Sequence, residues 1–371
     1  MLLFLLEEIM AKYIFYSEVF KKNVQHLRSA FKDAGLQLCL GYSVKTNNHP
    51  QVLNKARECG MMAEIVSRDE FELALGCDFD FDSIIYNGVI PDPEFKFLVA
   101  AKGGIVNINS YTELEMIEKI ATDSKIKIKL GIRVNIDIGT ELPSRFGIRP
   151  YSEEFAKCME LFNSSEYIML AGMHCHTSFA RDLKYWKVKA RRLSELAFEY
   201  NLEYIDFGSN FFGDMHFDMI EFYDYDTVTF DEYAATIANE ISNRFPEGRG
   251  PMIVLEPGTP VVSNAVDIFC EVTNIKELCG KTLIEVDCSA FDFRTITKKR
   301  FNPINVIRNS KGVHVNGANI VGNTCVELDV IQYDFDGDIA IGDFLLIRNI
   351  GAYSVSKASD FITKKLDMVT I

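Results

Sequence analysis

Leu36-Gln37-Leu38-Cys39-Leu40-Gly41-Tyr42-Ser43-Val44-Lys45-Thr46-Asn47-Asn48-His49-Pro50 changes character part-way along. Its first half is an apolar run that reads as a buried strand. Its second half is polar, and Pro50 stands where a helix can begin. A lysine at the carboxyl end of a buried strand is costly unless it has a task. Burial there lowers an amine's pKa and makes it a better partner for a carbonyl carbon. The competing reading is an amine that snorkels out to water along its own stem. The segment alone does not choose between them.

The same strand-then-helix unit recurs on both sides. Strands are expected at Tyr13–Tyr16, Met62–Ser67, Ser83–Tyr86, Gly104–Asn109, Ile126–Arg133, Tyr167–His174, Tyr204–Phe207 and Met252–Leu255. Helices fall between them, at Gln51–Glu58, Arg68–Leu75 and about Asp182–Glu199. Ser17 is expected to cap the helix after the first strand, and Ser110 with Glu113 reads as a capping box. About eight such units between residues 20 and 260 imply a parallel sheet closed into a (β/α)8 barrel of the TIM type. The strands end in Lys45, Ser67, Asn87, Asn109, Arg133, His174 with His176, Gly208 with Ser209, and Glu256. In such a barrel those ends share one mouth. After Pro260 the texture turns to strands and turns: Val261–Val272, Leu283–Asp287, Gly317–Val321 and Phe344–Ile350. A second, mostly β domain of sandwich or barrel-like form is expected from residues 1–19 plus 261–371, with Tyr13–Tyr16 as an added strand.

With 371 residues, 48% of them hydrophobic, the chain can bury a large core. A formal charge of -14 argues against nucleic acid and anionic membranes as partners. The nine cysteines include no CxxC pair and no spacing typical of a metal site, so a reducing cytoplasm is expected and no metal. Met1–Met10 is short and contains Glu7 and Glu8, which reads as ordinary structure rather than a signal peptide. No run approaches the length of a membrane span.

Six motifs occur in order: Tyr42-Ser43-Val44-Lys45, His174-Cys175-His176, Asp206-Phe207-Gly208-Ser209-Asn210-Phe211, Glu256-Pro257-Gly258, Cys325–Asp329 and Gly351-Ala352-Tyr353. Together they resemble the fold-type III pyridoxal-phosphate decarboxylases, the diaminopimelate and ornithine decarboxylase group, which join an alanine-racemase-like barrel to a β domain. The resemblance implies that pyridoxal 5'-phosphate is held by Lys45 as a Schiff base. Glu256 would pair with the pyridine nitrogen, and His176 would stack on the ring. Gly208, Ser209 and Asn210 would approach the phosphate. Glu64 and Arg133 match positions near the lysine and the histidine, and fit equally a structural ion pair across the mouth. Cys325 matches the residue that reprotonates the carbanion, and Tyr353 one that reaches the phosphate. In this family both come from the other subunit, so the resemblance implies a homodimer with shared sites. Glu327, Asp329, Arg294 and Arg300 are candidates for substrate binding. The two arginines also fit a basic surface stretch with Lys298 and Lys299.

The sequence departs from the family in four places. Thr259 replaces the arginine usual after Glu-Pro-Gly, Val326 the acidic residue usual after the motif cysteine, and Ser178 a glycine. Only one glycine of the usual run survives, at Gly208. Decarboxylation of an amino acid, related to or different from diaminopimelate, is the function these features imply. An amino-acid racemase and a cofactor-binding protein without catalysis are the alternatives.

Overall fold

The computed structural model describes residues 10–140, 144–178, 180–213, 227–246, 248, 250–293, 302–308 and 311–371. Arg294 and Arg300 lie outside the described residues. The chain divides into two compact units, the larger formed by residues 21–213 and 226–260.

That larger unit is a closed barrel of eight parallel strands. After β1 (Lys12–Phe15) and α1 (Ser17–Asp33), which precede the barrel, come β2 (Leu38–Ser43), α2 (Pro50–Glu58), β3 (Met62–Ile65), α3 (Arg68–Leu75) and β4 (Ile84–Tyr86). Then follow α4 (Pro93–Ala101), β5 (Ile105–Ile108), α5 (Tyr111–Ser124), β6 (Ile128–Arg133), α6 (Glu153–Ser164) and β7 (Ile168–His174). The series ends with α7 (Leu183–Glu199), β8 (Tyr204–Asp206), α8 (Phe230–Arg244) and β9 (Met252–Leu255). β9 closes onto β2 with Cys39 opposite Val254. The expected (β/α)8 barrel is therefore the observed one.

Local chemistry sets the helix starts. Pro50 opens α2, its fixed φ suiting the first turn, and His49 accepts from the Gln51 amide. Ser67 and Ser110 cap α3 and α5. Glu113 completes no capping box with Ser110: one carboxyl oxygen takes the Asn109 amide at 2.8 Å, and the other pairs with the buried Lys96 at 2.6 Å. On the outer wall, Trp186 of α7 stacks on Phe211 at 4.4 Å between ring centres. Burying such side chains stabilises the wall by about 1.5–3 kcal/mol each.

The second unit comprises the described residues of 1–20 and 261–371. After a helical turn at Thr259–Val262 it contains β10 (Val266–Leu278), β11 (Lys281–Val286), β12 (Ile304–Ile307), β13 (Val313–Val321), β14 (Val330–Ile339), β15 (Phe344–Ile347) and β16 (Asp367–Thr370). Its sheet runs β12-β15-β10-β11-β13-β14, and β1 lies antiparallel to β10 and parallel to β16. A strand expected from Val261 starts only at Val266. Pro260 sits in the first helical turn instead, where its missing N–H costs nothing. Ser17 does not cap α1. Its hydroxyl donates to the Ile371 carbonyl at 3.1 Å.

Candidate active site

The carboxyl ends of the barrel strands bring together Lys45, Glu64, Asn87, Arg133, His174, Asp206 and Glu256. Lys45 is not on β2 itself but in the single 3-10 turn, Val44–Thr46, that follows it. Register sets Ser43 beside Glu64 across β2 and β3. Both the Ser43 hydroxyl and the Lys45 ammonium donate to Glu64 Oε2, each at 2.6 Å. The Lys45 side chain is 36% exposed and that of Glu64 only 1%. The amine thus reaches the mouth while its counter-ion stays in the wall. Burial raises the Glu64 carboxyl pKa and the ammonium opposes that rise. Arg133 is not the partner of Glu64; its guanidinium lies over the Phe146 ring at 4.7 Å.

Glu256 follows β9 directly and is 3% exposed. Burial works against its charge, but the neighbouring His174, Asp206 and Lys45 ammonium overcome that and hold its pKa below the usual range. Asp206 moves the other way: burial and then the Glu256 charge push its pKa well up. His174 Nε2 is 3.7 Å from Glu256 Oε2, and neither ring nitrogen has a hydrogen-bond partner within reach among the described residues. Burial lowers the His174 pKa, and Glu256 opposes that fall. Asp206, His174 and Glu256 have ligand atoms within 4.8 Å of one another, the geometry of a metal triad.

The turn after β8 is spent on the protein itself. Gly208 has φ +64°, and a Cβ there would lie 2.7 Å from the His176 ring, so only glycine fits. Its amide donates to Asp206 Oδ1 at 2.8 Å, and the Ser209 amide donates to His176 Nδ1 at 3.1 Å. That bond places the histidine's own proton on Nε2. Burial drives the His176 pKa far down. The Asn210 amide donates to the Thr177 carbonyl at 3.1 Å, and its oxygen accepts from Arg181 at 3.3 Å. The Gly208 and Ser209 backbone amides and the Asn210 side-chain amide, donors that the sequence offers to a phosphate, thus already have partners in this conformation.

The remaining candidates belong to the second unit. Cys325 and Glu327 are exposed on the loop between β13 and β14. Asp329 is buried, and its carboxylate accepts from the Ala290 amide, the Ser289 hydroxyl and the Thr324 amide and hydroxyl at 2.6–3.1 Å. Those bonds make it the anchor of the Cys325 loop. A Cβ on Gly322 would lie 2.4 Å from that carboxylate, which explains the glycine before the motif. Tyr353 is 38% exposed at φ +56°, with the Lys357 ammonium 5.2 Å from its ring centre.

Sequence reasoning passed over Asp206 and His174 as site residues, although both stand in quoted motifs. It also missed Asn107, Tyr204 and Lys189. A polar residue inside a four-residue apolar strand was the available signal for Asn107.

Residues 18–263 match the family described as "Pyridoxal-dependent decarboxylase, pyridoxal binding domain". The chain belongs to the pyridoxal-dependent decarboxylases. The family's cofactor is pyridoxal phosphate. The residues present suit it: a rim amine with a buried counter-ion, an ionised buried carboxylate beside it, and a histidine held by a backbone amide. Among relatives of this decarboxylase, the rice (Oryza sativa subsp. japonica) protein called probable diaminopimelate decarboxylase, chloroplastic, is 29% identical over 93% of this chain and 72% of its own length. The diaminopimelate decarboxylase of Helicobacter pylori strain J99 is 26% identical over 94% of this chain and 87% of its own. The crystal structure of the M. jannaschii diaminopimelate decarboxylase with L-lysine has the same fold, with a TM-score of 0.86 at 23% identity over 100% of this chain and 89% of that one. The Paramecium bursaria Chlorella virus arginine decarboxylase shares the fold at a TM-score of 0.80 and 18% identity over 100% of this chain and 98% of that one.

Proposed function

We propose that this decarboxylase removes the α-carboxylate of an amino acid whose distal end carries no free ammonium group. The Lys45–Glu64 pair at the barrel mouth, beside an ionised Glu256, carries the reading. Lys45 would supply the amine that holds the cofactor, with Glu64 Oε2 as that amine's proton acceptor. Glu256 would pair with the pyridine nitrogen and favour its protonated form. Pyridoxal phosphate, when bound, supplies a conjugated ring that takes up the electron pair left by the departing carboxylate. His176, held by the Ser209 amide, would stack on the ring and orient it. Arg133 adds positive charge at the same rim. Cys325 Sγ delivers a proton to the α carbon, a task its exposed thiol suits. Tyr353 would reach the phosphate.

The relatives' names point to diaminopimelate, but Val326 here replaces the acidic residue that would receive a distal ammonium. A neutral or acylated distal end fits valine better. Glu327 stands one place along as a polar contact on the same loop. We place the enzyme in the cytoplasm, since all nine cysteines are free thiols. No helix among the described residues is long and apolar enough to cross a membrane.

The test is CO2 release from holoenzyme over a panel of diaminopimelate, lysine, ornithine, arginine and amino acids with neutral or acylated distal ends. Release fastest from the last group is expected. No release from any of them would sink the proposal. We also propose a homodimer in which Cys325 and Tyr353 complete the partner's site. Lys45→Ala and Cys325→Ala proteins, each inactive, should then regain activity when their subunits are mixed; no regain would refute the sharing.

A further inference from the structure

A chain of hydrogen bonds crosses the barrel interior and takes no part in the reaction proposed above. The Tyr204 hydroxyl on β8 donates to Asn107 Oδ1 on β5 at 2.9 Å. Asn107 Nδ2 donates to Asn87 Oδ1, just after β4, at 2.7 Å. Asn87 Nδ2 donates to Glu256 Oε1. None of the four residues is more than 6% exposed.

The chain has one direction. A carboxylate only accepts, so it turns the nitrogen of Asn87 toward itself. The Asn87 oxygen must then accept from Asn107, and the Asn107 oxygen from a hydroxyl. The barrel makes room for this. A Cβ on Gly131 would lie 2.0 Å from Asn107 Oδ1 and 2.3 Å from the Tyr204 hydroxyl oxygen, and one on Gly172 would lie 2.3 Å from the Tyr204 ring. Apolar side chains of similar size would fill the same space without the risk of an unmet polar group. Burial keeps the Tyr204 phenol protonated far above its ordinary range, so the donor at the far end is permanent.

We propose that Tyr204, Asn107 and Asn87 are positioning residues, a relay that holds Glu256 ionised and aimed at the ring nitrogen of the cofactor. This rests on the assignment of Glu256 to that nitrogen. The relay fixes Oε1 by a polarised donor series, while Oε2 faces His174. Bonds in such a series strengthen one another, so influence on the carboxylate fades with distance along it.

The experiment titrates apoprotein with pyridoxal phosphate and with the deaza analogue, in which carbon replaces the ring nitrogen. Cofactor absorbance gives each dissociation constant. Glu256→Gln and Asn87→Ala should each weaken pyridoxal phosphate about ten-fold or more relative to the analogue, as loss of a charge-assisted bond would. Asn107→Leu should do so less, and Tyr204→Phe least, by about two- to three-fold. If Glu256→Gln discriminates between the ligands but the relay variants do not, the relay is overturned and the carboxylate's assignment stands. If Glu256→Gln treats both ligands alike, that assignment fails and the relay with it. Should Asn87→Ala fail to fold by thermal melting, Tyr204→Phe, which removes a single oxygen, decides the matter.

Discussion

Replacing Lys189 with methionine tests how the barrel wall carries a buried charge. Lys189 lies on α7 at 2% exposure, donates to the Phe207 carbonyl at 2.9 Å, and sits 3.6 Å from the Trp186 ring centre. Burial lowers its pKa from 10.5 to about 8, against the pull of Cys175, Asp206 and Glu256. In the unfolded chain the amine keeps its proton to about 10.5. Between about 8 and 10.5 the unfolded chain therefore binds more protons than the folded one. Stability from this group rises with pH across that window and is lost as pH falls through it. At about 1.4 kcal/mol per unit, the full cost at neutral pH is about 3 kcal/mol. About 2 kcal/mol of it is lifted between pH 7 and 9.5. Urea unfolding of wild type and Lys189→Met at these two pH values reads the effect. The variant's stability relative to wild type should fall by about 2 kcal/mol on going from pH 7 to 9.5. The lost bond to Phe207 shifts both points alike and drops out. Parallel curves would refute the reasoning.

Three further outcomes follow from the same geometry. Lys45→Ala should lose the near-visible absorbance of the bound cofactor, and a retained band would remove Lys45 from the site. Gly208→Ala forces a side chain into a left-handed turn at about 1–2 kcal/mol and pushes on His176; cofactor affinity should drop, and an unchanged titration would show that the turn adapts. Glu113→Leu strands the fully buried Lys96 ammonium, at about 3–5 kcal/mol in urea unfolding. Adding Lys96→Met should recover most of that loss, and a double variant as unstable as the single would contradict the ion-pair account.

The barrel was legible because each strand is an apolar run stopped by polar residues, and because Ser67, Ser110 and Pro50 mark helix starts. The ordered motifs single out Lys45, His176 and Glu256 as candidates, and all three lie at or just after the carboxyl ends of barrel strands. Less legible were roles set by partners distant in sequence. Asp206 gives no sign that its pKa is raised, because that depends on its burial and on Glu256, fifty residues on. Lys189 looks like one of many basic residues in Leu183–Glu199. Yet it falls on the helical stripe of Trp186, Ala190, Leu193 and Ala197, the buried face of α7. That spacing was the available clue. Asp329 looked like a substrate ligand because nothing in Cys325–Asp329 shows that Ser289 and Ala290 return to occupy it. In the second unit, β12, β14 and β16 escaped notice. Their alternation is weak, and their sheet mixes parallel and antiparallel neighbours.

The pairing of β1 has a consequence during synthesis. Lys12 lies opposite Phe269 on one side and Asp367 on the other. Tyr13, Ile14 and Phe15 therefore leave the ribosome without either neighbour, and the whole barrel is translated before β10 emerges. Until then this apolar strand is an open edge able to pair with other nascent chains. The contact with β16 forms later still, once β15 has been made.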